Sequence, residues 1–174
     1  QQLSRASATE RLETQTTALI TANEQLGSRR AFIETVLESV SSGIISLDEN
    51  GNIAAATSTG GMTNKKFGRV GDSPMIGAGN YANNKTCAIS CTGSGEFFIR
   101  GVVAYDVACL IEHKGLSLEE ASNEVIYKRI LEIGGDGGLI AVDKNGNIAM
   151  PFNTEGMYRA CKSSNGEVEV AIYK

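Results

Sequence analysis

The chain lacks a long apolar run: nothing in it approaches the roughly eighteen residues that would span a bilayer, and no signal-peptide core is visible. It also lacks a basic excess, with 16 Lys and Arg against 20 Asp and Glu and a formal net charge of −4. Without a basic stripe to displace counterions from phosphates, the charge argues against a nucleic-acid partner. Histidine is down to one residue, His113, with no Asp or Cys at matching spacing, so it reads as a solvated helix-end residue. The four cysteines, at 87, 91, 109 and 161, follow no disulfide framework. Reduced thiols in a cytoplasmic-type protein are expected. Cys87 and Cys91 have no second Cys/His pair, which argues against zinc and for two small buried thiols. The glycine cluster Gly134–Gly138 lacks the lysine and the preceding strand of a phosphate loop. No metal and no cofactor are implied.

Glycine is nearly missing from one part only. Gly27 alone precedes residue 40, while the other glycines and both prolines, Pro74 and Pro151, follow it. The first methionine is Met62, so the chain is expected to begin inside a longer product or after processing. At 174 residues it can form one compact domain and an appendage. The expected division is a helical segment over 1–40 and a domain over 41–174.

Residues 3–40 read as helix. Leu12, Leu19, Leu26, Ile33 and Val40 recur at sevens, with Ala22 and Val36 on intervening core positions, on an otherwise polar surface. Gln15 and Arg29 interrupt the seam, and Gly27-Ser28 invites a kink. A helix this polar needs a partner, so a homo-oligomer is expected.

From Gly43 the period changes to two. GIISLD and NIAAAT flank an Asn-Gly turn and predict a hairpin, as do LIAVD and IAMPF around Lys144–Asn147. TCAISC predicts a buried strand, Glu96–Glu112 an apolar helix, and VEVAIY a last strand. Ser117 and Glu120 form a capping box for a helix reaching about Ile133. Strands, two helices, then strands again indicate an α+β fold with helices on one face of a sheet.

Two loops can carry chemistry. Arg69 offers a planar fork of donors for a carboxylate, and Asp72 can accept from an ammonium. Side by side on a glycine-rich loop they suit the two ends of a free amino acid; an Arg–Asp pair bridging its own loop is the alternative. Thr92 and Gly93, in SCTGSGE, place a hydroxyl and an unhindered N–H at a strand end, which suits a developing oxyanion. The alternative is a strand-to-helix turn capped by Thr92.

The segments ATSTGGMTNK, GRVGDSP, GAGNYAN, SCTGSGE, GLSLEEA, GGDGGLIAVD and MPFNTEGMYRA, in this order, resemble the β-subunit of the plant-type L-asparaginase/isoaspartyl peptidase family. The resemblance covers about 41–174 and implies half of an αββα N-terminal-nucleophile hydrolase sandwich. It assigns Arg69 to a substrate α-carboxylate, Asp72 to the α-amino group, and Thr92 and Gly93 to oxyanion and substrate contacts. Thr59 becomes the hydroxyl beside the nucleophile. Counting back from Thr59 at the family's spacing places the nucleophile at Ser41, where Val40-Ser41 stands in place of the family's Gly-Thr cleavage pair. The implied activity is hydrolysis of L-asparagine or β-aspartyl peptides after autoproteolysis. The implied partner is an α-subunit-like half, without which the chain is expected to be inactive.

The stretch RLETQTTALITANEQLGSRRAFIETVLESVSSGIISLDENGNI resembles the linker helix and opening strands of a sensory PAS domain from sensor histidine kinases. The two resemblances overlap at GIISLDENGNI, which implies a fusion near 43–53. The competing expectations are a non-catalytic interaction or signalling module that dimerises through its helix, or a chimeric sequence without evolved function.

Overall fold

The computed structural model describes residues 14–27, 43–59, 61, 64–66 and 68–173. The chain divides into two units, Gln1–Val40 and Ser41–Lys174. In the first, residues 14–27 form helix α1. Leu19 and Leu26, seven apart on one face, are 71% and 63% exposed. The other seam positions, Leu12, Ile33 and Val40, lie outside the described residues, as does Ser41.

The second unit is built on a four-stranded antiparallel sheet in the order β3-β4-β5-β6 (Asn80–Ala82, Cys87–Gly93, Gly137–Asp143, Ile148–Ala149). Alternation along β4 divides its two faces. Cys87, Ile89 and Cys91 join Leu139 and Ala141 in a core with the helices. Ala88 and Val142 face the other way, onto Ile45, Leu47, Ile53 and Ala55 of the hairpin β1–β2 (Gly43–Leu47, Ile53–Thr57). The central strand is therefore covered on both sides. Each fully buried large side chain, such as Phe98, Ile89 or Leu139, stabilises the domain by about 1.5–3 kcal/mol.

The expected single helix over Glu96–Glu112 is two helices, α2 (Gly95–Gly101) and α3 (Val103–Lys114), broken at Val102. Val102 has φ +46° and ψ +46°, a left-handed conformation that costs a β-branched residue about 1–3 kcal/mol. The compensation is external. The Ala104 and Tyr105 N–H groups donate to the carbonyls of Ala78 and Gly77, so a distant loop takes the place of the preceding helical turn.

The Ser117–Glu120 capping box forms as the spacing predicts. The helix it opens, α4 (Leu118–Glu124), then widens into a π turn over Val125–Arg129 before α5 (Ile130–Glu132). Asn153 bonds into the wider turn: its Nδ2 donates to Ile126 O at 3.3 Å and to Gly135 O at 3.3 Å. Its Oδ1 accepts from the Gly137 N–H at 2.7 Å. One side chain thus ties helix, glycine turn and β5 together. The last predicted strand ends earlier, at Ala171; as β8 (Val168–Ala171) it pairs with β7 (Arg159–Lys162), a strand the sequence pattern did not indicate.

Candidate functional site

Four segments meet at the C-terminal end of β4: the loop carrying Arg69 and Asp72, the turn around Gly79, the start of α2, and the end of β2. Asp72 is 6% exposed although it is a carboxylate. The space it fills exists because two neighbours lack side chains. A Cβ on Gly79 would lie 2.8 Å from Asp72 Oδ2, and one on Gly95 would lie 2.7 Å from Oδ1. Asp72 Oδ2 has no hydrogen-bond partner. Burial holds the Asp72 carboxyl above its ordinary pKa, an effect that Arg69 opposes. A buried acceptor with an unused oxygen is suited to a cation carrying N–H donors.

Arg69 does not bridge to Asp72. Its Nε and Nη2 donate to Glu96 Oε1 and Oε2 at 2.5 and 2.7 Å, a bidentate pair across 27 residues of sequence. This corrects the loop-bridging alternative, and it leaves the Nη1 edge of the guanidinium unused by Glu96. Arg69 holds the Glu96 carboxyl down at about 2, from an ordinary 4.5. A depressed acid contributes stability that is present above pH 4.5 and is lost as pH falls toward about 2. A carboxyl NMR titration is expected to show Glu96 ionised down to that range, and Arg69→Met is expected to return its midpoint toward 4.5. A Glu96 midpoint that Arg69→Met does not move would show that the pair does not form in solution.

Thr92 and Gly93 are exposed at the end of β4. Cys91 turns its N–H to the Gly79 carbonyl at 2.8 Å, and strand alternation turns the Gly93 N–H to that same edge. Thr92 is not a helix cap: the α2 cap position is Ser94, whose hydroxyl donates to Asp136 Oδ1 at 2.5 Å instead. Gly93 has φ +146° and faces Gly137, which has φ +143°, across the ladder. A Cβ on Gly93 would sit 2.3 Å from Asp136 O, just before β5, and one on Gly137 would sit 2.3 Å from Thr92 O.

Behind this edge lies a hydroxyl pair, Thr57 Oγ1 and Ser90 Oγ, 2.7 Å apart, with Thr57 also reaching Gly79 O at 3.4 Å. Gly43 rests on Ser90 so closely that its absent Cβ would overlap the hydroxyl. Thr59 lies beyond, exposed, its Oγ1 accepting from the Gly61 N–H at 3.0 Å. Among the described residues no hydrogen bond joins Thr59 to Arg69 or Asp72.

Of the residues singled out by sequence, Asp72 and Arg69 share one site with Thr92 and Gly93 nearby; Thr59 bonds within its own loop, and Ser41, beside which it was expected, is outside the described residues. Glu96, Gly79, Gly95, Thr57 and Ser90 went unassigned. Their signal was present only as membership of the quoted motifs. The thiols behave as expected of buried cysteines: burial pushes Cys87 up to about 12 and Cys91 well above its ordinary range. Among the described residues no cluster of His, Cys, Asp and Glu could hold a metal, and no helix is long and apolar enough to cross a membrane.

The isoaspartyl peptidase of Escherichia coli K12 is 58% identical over 132 residues, covering 76% of this chain and 41% of that protein. The isoaspartyl peptidase of Salmonella typhimurium is 57% identical over 132 residues, covering 76% of this chain and 42% of its own. The isoaspartyl peptidase/L-asparaginase of Xenopus laevis is 39% identical over 131 residues, covering 75% and 42%. The chain thus spans about two fifths of the length of the curated relatives it matches. A model of the asparaginase family matches residues 1–172, and with that extent of match the chain belongs to the asparaginase family.

Proposed function

We propose that residues 41–174 are the β-half of an N-terminal-nucleophile amidohydrolase, completed into an αββα sandwich by an α-half, that hydrolyses L-asparagine or β-aspartyl peptides. The observation that carries the reading is the buried Asp72 carboxylate with one unused oxygen, beside an arginine whose second fork edge is open. Together they match a free amino acid: the ammonium goes to Asp72 Oδ2 and the α-carboxylate to the Nη1 edge of Arg69. Glu96 then acts as the strut that orients the guanidinium rather than as a competitor.

The residue 41 hydroxyl, as the free N-terminus, attacks the side-chain amide carbonyl while its own α-amine takes the proton. Thr92 Oγ1 and the Gly93 N–H hold the oxyanion, and Thr59 supports the nucleophile's hydroxyl. Ammonia or the peptide amine leaves, and water hydrolyses the ester at residue 41. No cofactor enters. On its own, the chain is inactive in this reading: Val40 precedes Ser41 where glycine would permit the strained geometry of self-cleavage, and the pocket needs the α-half as a wall.

The test is assembly. A protein shortened to begin at residue 41, carrying Ser41→Thr and combined with a family α-subunit, is expected to release ammonia from L-asparagine. The 174-residue chain with Val40→Gly and Ser41→Thr but no α-half is expected to release none. A folded, assembled complex without turnover would overturn the amidohydrolase reading.

One observation favours a second role for the other unit. Leu19 and Leu26 stand exposed on one face of α1, so this helix is read as a self-association segment that makes the protein a homo-oligomer. Sedimentation over a range of concentrations is expected to show dimers that Leu19→Asp with Leu26→Asp disperses. A wild-type protein that stays monomeric throughout would end this reading.

A further inference from the structure

Three hairpin turns in the domain contain Asn-Gly: Asn50-Gly51, Asn145-Gly146 and Asn165-Gly166. All three asparagines are exposed. In each turn the glycine N–H donates to the residue three positions back, to Asp48 O at 3.1 Å, Asp143 O at 3.1 Å and Ser163 O at 3.0 Å. Each of these glycines is left-handed, with φ of 81°, 83° and 89°. The nucleophile of a cyclisation, the glycine nitrogen, is therefore equally placed in all three and held by the same kind of backbone bond.

The electrophile is not. Asn50 and Asn145 bond through their backbone N–H groups, to Asp48 Oδ1 and Asp143 Oδ1, and their side-chain amides make no hydrogen bond among the described residues. Asn165 is held at both ends of its amide. Its Oδ1 accepts from Ser163 Oγ at 2.5 Å and from the Glu167 N–H at 3.1 Å, and its Nδ2 donates to Glu167 Oε2 at 2.8 Å.

We propose that Asn50 and Asn145 are modification sites, deamidating through a succinimide in the folded protein, and that Asn165 is protected by its own side-chain bonds. The glycine nitrogen attacks the asparagine Cγ and loses its proton to solvent as the new C–N bond closes the five-membered ring. The bond from Cγ to the amide Nδ2 breaks and ammonia leaves. Water then adds to either imide carbonyl and opens the ring to an aspartyl or an isoaspartyl residue. At Asn165 both atoms of the amide, the Oδ1 and the Nδ2 that must leave, are held by these three hydrogen bonds.

An isoaspartyl residue puts one extra carbon into the backbone, and at position 50 it enters the turn that sets the β1–β2 register. That register places Ile45, Leu47, Ile53 and Ala55 on the second face of the sheet. The two susceptible turns are also neighbours, since the Cβ absent from Gly51 would lie 3.8 Å from Lys144 O and that absent from Gly146 would lie 3.8 Å from Leu47 Cδ2. Conversion of Asn50 is therefore expected to loosen this end of the domain, independently of any catalytic role.

The experiment is incubation of the 174-residue chain at mildly alkaline pH, native and in denaturant, followed by peptide mass mapping and methyltransferase labelling of isoaspartate. Native Asn50 and Asn145 are expected to convert about tenfold faster than Asn165, the rate equivalent of ~1.4 kcal/mol. In denaturant the three rates are expected to converge, and Asn50→Gln with Asn145→Gln is expected to remove most of the native signal. Equal native rates, or a ranking that survives denaturation, would overturn the assignment, because the fold would then not be its cause. Absence of conversion at Asn50 and Asn145 while the denatured protein converts would overturn it as well.

Discussion

If the chain works as proposed, combined with an α-half, Arg69→Ala is expected to lower kcat/KM for L-asparagine by about a hundred- to ten-thousandfold. A hydrogen bond to a charged group contributes about 1.5–3 kcal/mol, and a fork that grips a carboxylate makes two of them. Each ~1.4 kcal/mol is a factor of ten in rate. Arg69→Lys is expected to recover only part of the loss, because an ammonium cannot serve Glu96 and a substrate carboxylate with two planar edges at once. A substrate lacking the α-carboxylate gives the internal control: wild type and Arg69→Ala are expected to handle it equally poorly. If Arg69→Ala costs less than about tenfold on asparagine, or costs as much on the truncated substrate, Arg69 does not anchor the carboxylate.

The largest effect on stability is expected at Gly93. A Cβ there would sit 2.3 Å from Asp136 O and 2.7 Å from Gly137 Cα, both backbone atoms that no rotamer change can move away. The φ of +146° adds conformational strain. Gly93→Ala is therefore expected to destabilise the domain by about 3 kcal/mol or more. Gly115→Ala separates the two causes. Gly115 is also left-handed, at φ +67°, but has nothing within 4 Å of a new Cβ, so its cost is conformational alone, about 1 kcal/mol. Denaturant unfolding of both variants reads the difference. Equal losses would mean that the close approach of β4 and β5 relaxes freely.

Local features were legible wherever the cause lay within a few residues. The alternation of TCAISC set which side chains of β4 meet the helices, because strand side chains alternate whatever surrounds them. The Ser117–Glu120 cap formed because both partners sit within one turn. The Asp-x-Asn-Gly-Asn turns formed because aspartate 48 or 143 bonds its own loop. Arg69 and Asp72 could be picked out as a pair of complementary charges on a glycine-rich loop, and Thr92-Gly93 as a hydroxyl beside an open N–H. Each of these readings uses information carried by sequence neighbours.

The structure was decisive wherever a group answers to a distant one. Arg69 is oriented by Glu96, 27 residues away, and nothing in the loop's own sequence favours that partner over Asp72. Asp72 is buried because two remote glycines, Gly79 and Gly95, leave room for it. The helix breaks at Val102 because the carbonyls of Gly77 and Ala78 take over the N–H groups of the next turn. Asn153, from beyond β6, holds the π turn. By itself, then, the sequence determined the local elements and the chemical types available at the site, since propensity, capping and alternation act over a few bonds. Tertiary structure alone decided which fork edge of Arg69 stays open and which oxygen of Asp72 stays free, because hydrogen-bond partners and burial are set by segments that meet only when the protein folds.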